Sequence, residues 1–74
     1  MTASVVDLFC GIGGLSHGFR REGFDVVAGI DTDERCRFPF EANNGARFIG
    51  KDVAEITAAE VRLMFPADDV RILA

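Results

Sequence analysis

The chain has 74 residues and a formal net charge of −4, so it holds at most one small domain and lacks the basic surface of a self-sufficient nucleic-acid binder. Its 49% apolar and 27% charged residues, with seven Phe and neither Trp nor Tyr, describe a globular chain of marginal stability rather than a disordered one. Cys10 and Cys36 have neither metal spacing nor a disulfide framework around them and fit a reducing cytosol, and no leader or membrane-spanning stretch is read, so no membrane partner is expected.

Met1-Thr2-Ala3-Ser4 leads into a strand from Ser4 to Phe9, with apolar Val5, Val6, Leu8 and Phe9 and one acid, Asp7, as a strand buried on both faces would be. The cluster Gly11, Gly13, Gly14 follows. A helix is predicted from Leu15 to Glu22, with Leu15 and Phe19 sharing a face and Gly23 as its stop. Val26 to Ile30 reads as a second buried parallel strand. Asp31-Thr32-Asp33-Glu34 has helix N-terminal chemistry, and the helix beyond it carries Cys36 and Phe40. Pro39 should kink or delay that helix, and Asn43-Asn44-Gly45 should close it. Phe48-Ile49 is a short third strand. Thr57-Ala58-Ala59-Glu60 is a capping box, with Ile56 and Val61 placed for a hydrophobic staple. Ala58, Val61 and Phe65 line one face of the helix that follows, Pro66 ends it, and Val70 to Ala74 forms a fourth strand. The order β-α-β-α-β-α-β with short connections implies an α/β fold with a parallel sheet and right-handed crossovers.

Glycines between a first strand and a first helix let a ligand approach the backbone. Gly11-Ile12-Gly13-Gly14-Leu15-Ser16 supplies the first two glycines of a dinucleotide fingerprint, with Ser16 where the third is wanted. Asp31 ends the second strand twenty positions after Gly11, where a carboxylate can accept from both hydroxyls of a ribose; the competing reading is a helix N-cap. Asp33 reads as a cap. A pyrophosphate would be repelled by Asp7 beside the turn, whereas the sulfonium and ammonium of S-adenosylmethionine would be attracted. Phe9 is either a stacking face for adenine or a core residue, and Asp52 either a ligand of the adenine amino group or a solvent-facing loop acid.

Asp7-Leu8-Phe9-Cys10-Gly11-Ile12-Gly13-Gly14 resembles the first signature motif of the DNA cytosine-5 methyltransferases. In register with it, Gly29-Ile30-Asp31 resembles the second motif and Lys51-Asp52-Val53 the third, while Arg71 to Ala74 resembles the strand leading to the fourth. The resemblance implies a Rossmann-like S-adenosylmethionine-dependent methyltransferase fold with sheet order 3-2-1-4, of which residues 1–74 form the N-terminal, incomplete segment. It implies cofactor contacts from Asp7, Phe9, Cys10, Gly11, Ile12, Gly13, Gly14, Asp31, Thr32, Asp52 and Val53, and methyl transfer to carbon 5 of a flipped cytosine. The family's nucleophilic Cys sits in a Pro-Cys pair just past the fourth strand, so it is expected beyond Ala74. Cys10 belongs to the cofactor motif, where packing asks only for a small residue, and Cys36 reads as a buried apolar residue on a helix facing the sheet. Thr32 departs from the larger residue usual after the ribose acid, and Pro39 interrupts a helix that is usually continuous.

The resemblance therefore implies a cofactor-binding segment that is inactive alone, with double-stranded DNA bound by other parts of the parent, in a bacterial cytosol or nucleoid; a restriction-modification setting with a companion restriction enzyme is left open. A stand-alone or catalytically dead binding module is the alternative; half of an NAD-type dehydrogenase is a third reading, opposed by Asp7 and Ser16. The fourth strand is expected at a sheet edge open to self-association, and one sheet face is expected to leave side chains such as Val5 or Val27 bare.

Overall fold

Ser4, Val5, Val6 and Asp7 are all buried in strand β1 (Ala3–Leu8), as a strand flanked by neighbours and covered on both faces requires. The computed structural model, which describes residues 3–67 and 70–74, places β1 inside a four-stranded sheet. Parallel β2 (Asp25–Asp31) lies on one side of it and parallel β4 (Val70–Leu73) on the other; β3 (Arg47–Gly50) pairs with β2. The order β3-β2-β1-β4 is the one expected, and the chain has a Rossmann-like α/β fold. Met1 and Thr2, read as the lead into the first strand, lie outside the described residues.

The β1 ladder continues past Leu73, because the Ala74 N–H donates to Val6 O (3.1 Å) and the Leu8 N–H to Ala74 O (2.8 Å). Between β1 and β2 the register passes from Val5 opposite Val26 to Val6 opposite Ala28, so Val27 is a bulge. Val27 and Ala28 consequently both pack on the same side of the sheet.

Helix α1 (Gly14–Arg21) ends as Gly23 predicts. At φ +89°, Gly23 donates its N–H to Arg20 O, the Phe24 N–H reaches back to Phe19 O, and the two rings meet edge-on at 5.4 Å. A 3-10 turn, Glu34–Cys36, then precedes α2 (Arg37–Asn44). This is the delay that Pro39 imposes: α2 begins late enough to leave Pro39 in its first turn, where a backbone N–H has no intrahelical partner. Cys36 thereby falls in the 3-10 turn and is half-buried, not buried on a helix. Arg37 ties the turn to β3 by donating to Phe48 O at 3.0 Å and to the Glu34 carboxylate, its guanidinium 5.0 Å above the Phe48 ring. Helix α3 (Ala58–Met64) has the expected capping box: the Glu60 N–H donates to Thr57 Oγ1 (3.1 Å) and the Thr57 N–H to Glu60 Oε1 (3.2 Å).

The α1 and α2 face of the sheet holds Val5, Cys10, Val26, Phe40, Ala46 and Phe48; the α3 face holds Val6, Ala28, Ile30 and Phe65. Two expectations are corrected. Val5 is fully buried, because it faces the side that two helices cover, whereas Val27 on the α3 side is half-buried. Leu15 is 59% exposed, and the residue that α1 buries is Ser16. A hydrogen bond from Ser16 to β1 fixes the rotation of α1 so that Ser16 and Phe19, three apart, face the sheet and Leu15 is carried to the flank.

Candidate functional site

All four strands are parallel, so their C-terminal ends lie along one edge, and the chain reverses direction in strand order between β1 and β4. Open α/β sheets bind ligands outside the strand ends at such a reversal. There β1 stops at Leu8, one residue short of the expected end. Phe9 turns away with φ +56°, a conformation that a bulky side chain adopts only under constraint, and its side chain is 75% exposed. That excludes the core reading of Phe9.

The turn is held from three directions. The Cys10 N–H donates to Ile30 O (3.0 Å) and the Gly13 N–H to Cys10 O (2.9 Å). From β2, Asp31 Oδ2 accepts from the Gly11 N–H at 3.0 Å while Oδ1 accepts from the Asp33 N–H at 3.0 Å. One carboxylate thus clamps the glycine turn and the turn after β2. The cap reading and the ligand reading of Asp31 are compatible, because a carboxylate has about four acceptor positions and the two amides use two. Asp33 is the cap proper of the 3-10 turn, accepting from the Arg35 N–H at 3.0 Å.

The glycines divide by what surrounds them. At Gly13, φ is +93° and a side chain would run into the Asn44 amide and, at 2.8 Å, the Phe40 ring. At Gly11 and Gly14 a Cβ would meet nothing within 4 Å. Packing inside the fold therefore demands glycine at Gly13, while Gly11 and Gly14 have open space beside them. Ile12, 61% exposed, lines a shallow cavity with Gly13, Gly14, His17 and Asn43.

Beneath the turn lies Asp7, 2% exposed, whose Oδ2 accepts from Ser16 Oγ at 2.6 Å. Burial pushes its carboxyl above the usual range, the Ser16 hydrogen bond pulls it back, and the Asp31 charge pushes the same way as burial. The Cys10 thiol is pushed up to about 12 by burial and by the Asp7 and Asp31 charges, which leaves it protonated and inert at neutral pH. Cys36 is pushed up as well, by desolvation first and then by Asp33 and Asp31.

At the far strand, Asp31 pairs with Gly50, so Asp52 follows at the same edge. It is exposed and its Oδ1 caps the 3-10 turn Val53–Glu55 through the Ala54 N–H at 3.0 Å. Val53 is half-buried against the α3-side core, and Thr32 is exposed in the bend after Asp31. The structure therefore joins Gly11 to Asp31 by a direct bond and sets Asp7 under them, with Phe9 exposed past the end of β1 and Asp52 exposed past the end of β3, on either side of β2.

Sequence reasoning missed two residues. Ser16 counted only as an absent glycine, yet it is the buried partner of Asp7. Asn44 counted only as part of a helix stop, yet it is 2% exposed and its Nδ2 donates to Gly13 O (3.4 Å) and Phe40 O (3.1 Å). The signal for Ser16 was a small polar residue on a helix face that otherwise points inward. For Asn44 nothing in Asn43-Asn44 distinguishes the inward residue from its neighbour.

Comparison with known proteins gives one consistent result. The family model for C-5 cytosine-specific DNA methylase matches residues 3–74. Type II methylase M.HgiDII of Herpetosiphon aurantiacus is 47% identical over 73 residues, covering 99% of this chain and 21% of that protein. Type II methyltransferase M.FnuDI of Fusobacterium nucleatum is 37% identical over 57 residues, 77% of this chain and 17% of that protein. Type II methyltransferase M.XorII of Xanthomonas oryzae pv. oryzae is 40% identical over 63 residues, 77% of this chain and 14% of that protein. The chain thus spans about a fifth or less of the length of these curated relatives.

Proposed function

The chain belongs to the C-5 cytosine-specific DNA methylase family, and from that premise we propose that residues 1–74 are the N-terminal, cofactor-holding segment of a methyltransferase domain acting on carbon 5 of cytosine in DNA. The observation that carries this is the Asp31 carboxylate bonded to the Gly11 N–H, which sets an acceptor for vicinal hydroxyls against a glycine turn at the sheet's reversal point.

The donor and acceptor chemistry fits S-adenosylmethionine. The carboxylates at the turn, Asp7 and Asp31, are suited to a ribose and a cation and unsuited to a pyrophosphate. Gly11 and Gly14 leave space above the backbone, and Phe9 offers an aromatic face to a base. Bound there, the cofactor supplies a methyl group activated on a sulfonium. In this reading Asp31 holds the ribose, Phe9 and Val53 flank the adenine, Asp52 accepts from its amino group, and Thr32 closes the pocket thinly beside Asp31. Gly11, Ile12, Gly13 and Gly14 shape the turn over Asp7 and Cys10.

Neither cysteine is suited to attack a base: Cys10 is buried with its thiol pushed to about 12, and Cys36 is half-buried with its thiol raised. We therefore assign the nucleophile and the surface for double-stranded DNA to parts of the protein outside these residues. The setting we propose is a bacterial cytoplasm or nucleoid, in a restriction-modification system like those that type II methylases serve. The test is direct. With duplex DNA and methyl-labelled cofactor, the full protein should place label on carbon 5 of cytosine, and the 74 residues alone should place none. Absence of label with the full protein would overturn the proposal, and label with the 74 residues alone would overturn the assignment of the nucleophile elsewhere.

The 74 residues by themselves should also self-associate. β4 ends the sheet order, and Val70 and Leu73 are exposed on it with only Arg71 as a charge. Ultracentrifugation should show dimers and larger species, and Leu73→Lys should shift the population toward monomer. A monodisperse wild-type monomer with a cooperative melt would refute the open-edge reading.

A further inference from the structure

The Ser16 hydroxyl and the Asp7 carboxylate form a hydrogen bond between two buried side chains, 0% and 2% exposed, under the turn that the proposed function assigns to the cofactor. A buried carboxylate is normally neutralised by a cation or loses its charge. No ion pair among the described residues involves Asp7. The titratable groups that act with it are Asp31 at the end of β2, whose charge opposes that of Asp7, and the Cys10 thiol in the turn, which both carboxylates push up. Among the described residues, Ser16 is the group that favours its anion. The separation of 2.6 Å lies within the range of a hydroxyl donating to a carboxylate. When ionised, this carboxylate is a negative charge beneath the turn with no cation paired to it among the described residues, and it accepts from a donor on the helix that follows.

We propose that Ser16 is a positioning residue that fixes the Asp7 carboxylate beneath the glycine turn, and that through Asp7 it biases the site toward a cationic sulfonium ligand over the neutral thioether left after methyl transfer. This rests on the cofactor reading above. Ser16 touches no ligand in it; it acts through Asp7. The bias has a physical origin, because a sulfonium and a thioether of the same shape differ by one charge, and a carboxylate in a poorly solvated site acts strongly on that difference. It also explains why a donor, rather than a third glycine, begins the inward face of α1.

The proton linkage has a definite sign. The Asp7 carboxyl is raised in the folded chain, so cation binding should weaken as pH falls through that raised value, while thioether binding should not follow it. Removing Ser16 Oγ raises the carboxyl further and moves the fall in sulfonium affinity to higher pH.

Calorimetric titrations of the full protein with S-adenosylmethionine and with S-adenosylhomocysteine, each from pH 5 to 8, decide the matter. Asp7→Asn should lower the ratio of sulfonium to thioether affinity by about tenfold and flatten its pH dependence. Ser16→Ala should move the pH midpoint of sulfonium binding upward and lower the ratio below that midpoint. On an Asp7→Asn background Ser16→Ala should leave the ratio unchanged, which separates action through Asp7 from a general loosening of α1. A purely structural role would reduce both affinities together, and that outcome, or an unchanged ratio in Asp7→Asn, overturns the proposal. Should Ser16→Ala not fold, Asp7→Asn alone still decides the charge bias, because its amide oxygen can accept from Ser16 as the carboxylate does. Failure of the wild-type protein to bind either ligand would refute the cofactor reading itself.

Discussion

Asp31→Ala should weaken S-adenosylmethionine binding by one to two factors of ten in the full protein. Each hydrogen bond to a charged group contributes about 1.5–3 kcal/mol, so the loss of one such bond from a ribose hydroxyl already gives this factor. The structure adds a second reason. The same carboxylate accepts from the Gly11 and Asp33 amides, so alanine frees the glycine turn and the turn after β2 from each other and leaves two amides to find new partners. Asp31→Asn should be intermediate in cost. Its amide keeps one acceptor oxygen but turns its NH₂ toward one of two N–H donors, so one clamp survives and the other becomes a donor-to-donor contact. Calorimetry on the three proteins orders them; an Asp31→Ala affinity equal to wild type would remove the ribose assignment.

Gly13→Ala and Gly14→Ala, adjacent and chemically identical changes, should fail in opposite ways. At Gly13 an added methyl meets the Asn44 amide and the Phe40 ring, and φ is +93°. Overpacking costs about 1–3 kcal/mol and a left-handed conformation a further 1–2 kcal/mol or so for a residue with a Cβ. Against a total stability of roughly 5 kcal/mol for a chain this small, that is enough to lower the melting temperature steeply or prevent folding. At Gly14 the methyl meets nothing within 4 Å and the residue opens α1, so stability should hold or rise by up to about 1 kcal/mol, as Gly→Ala in a helix does. In the proposed function the open space at Gly14 receives the cofactor, so the same methyl should lower its affinity at least about tenfold through steric exclusion. Thermal melts read the first effect and calorimetry the second. Equal loss of stability in both variants would show that Gly14 is not open, and undiminished affinity in Gly14→Ala would move the cofactor away from the turn.

Much of this was legible from residue order. Runs such as Val26 to Ile30 are apolar throughout because both faces of a parallel strand are covered, and the capping box at Thr57 carries its geometry within four residues. Gly23 and Gly45 stop their helices through a left-handed backbone that glycine adopts at no cost, and Pro39 delays α2 because of a missing N–H. The sheet order followed from the handedness of short crossovers together with the family resemblance, and the glycine turn and Asp31 were marked by their places at strand ends.

What the sequence determined by itself is thus whatever depends on local backbone chemistry and on the order of the strands: the elements, their stops, the parallel sheet, and a turn facing an acid. Only the tertiary structure decided which face each helix presents and which polar residues turn inward. Leu15 is hydrophobic and exposed while Ser16 beside it is polar and buried, because one bond to Asp7, nine residues away in the chain, sets the rotation of α1. Asn44 rather than Asn43 reaches Gly13, thirty-one residues back, because α2 packs over the glycine turn. Such pairings join positions distant in the chain, and a buried polar side chain is stable only where its partner has already been brought to it by the packing of everything else.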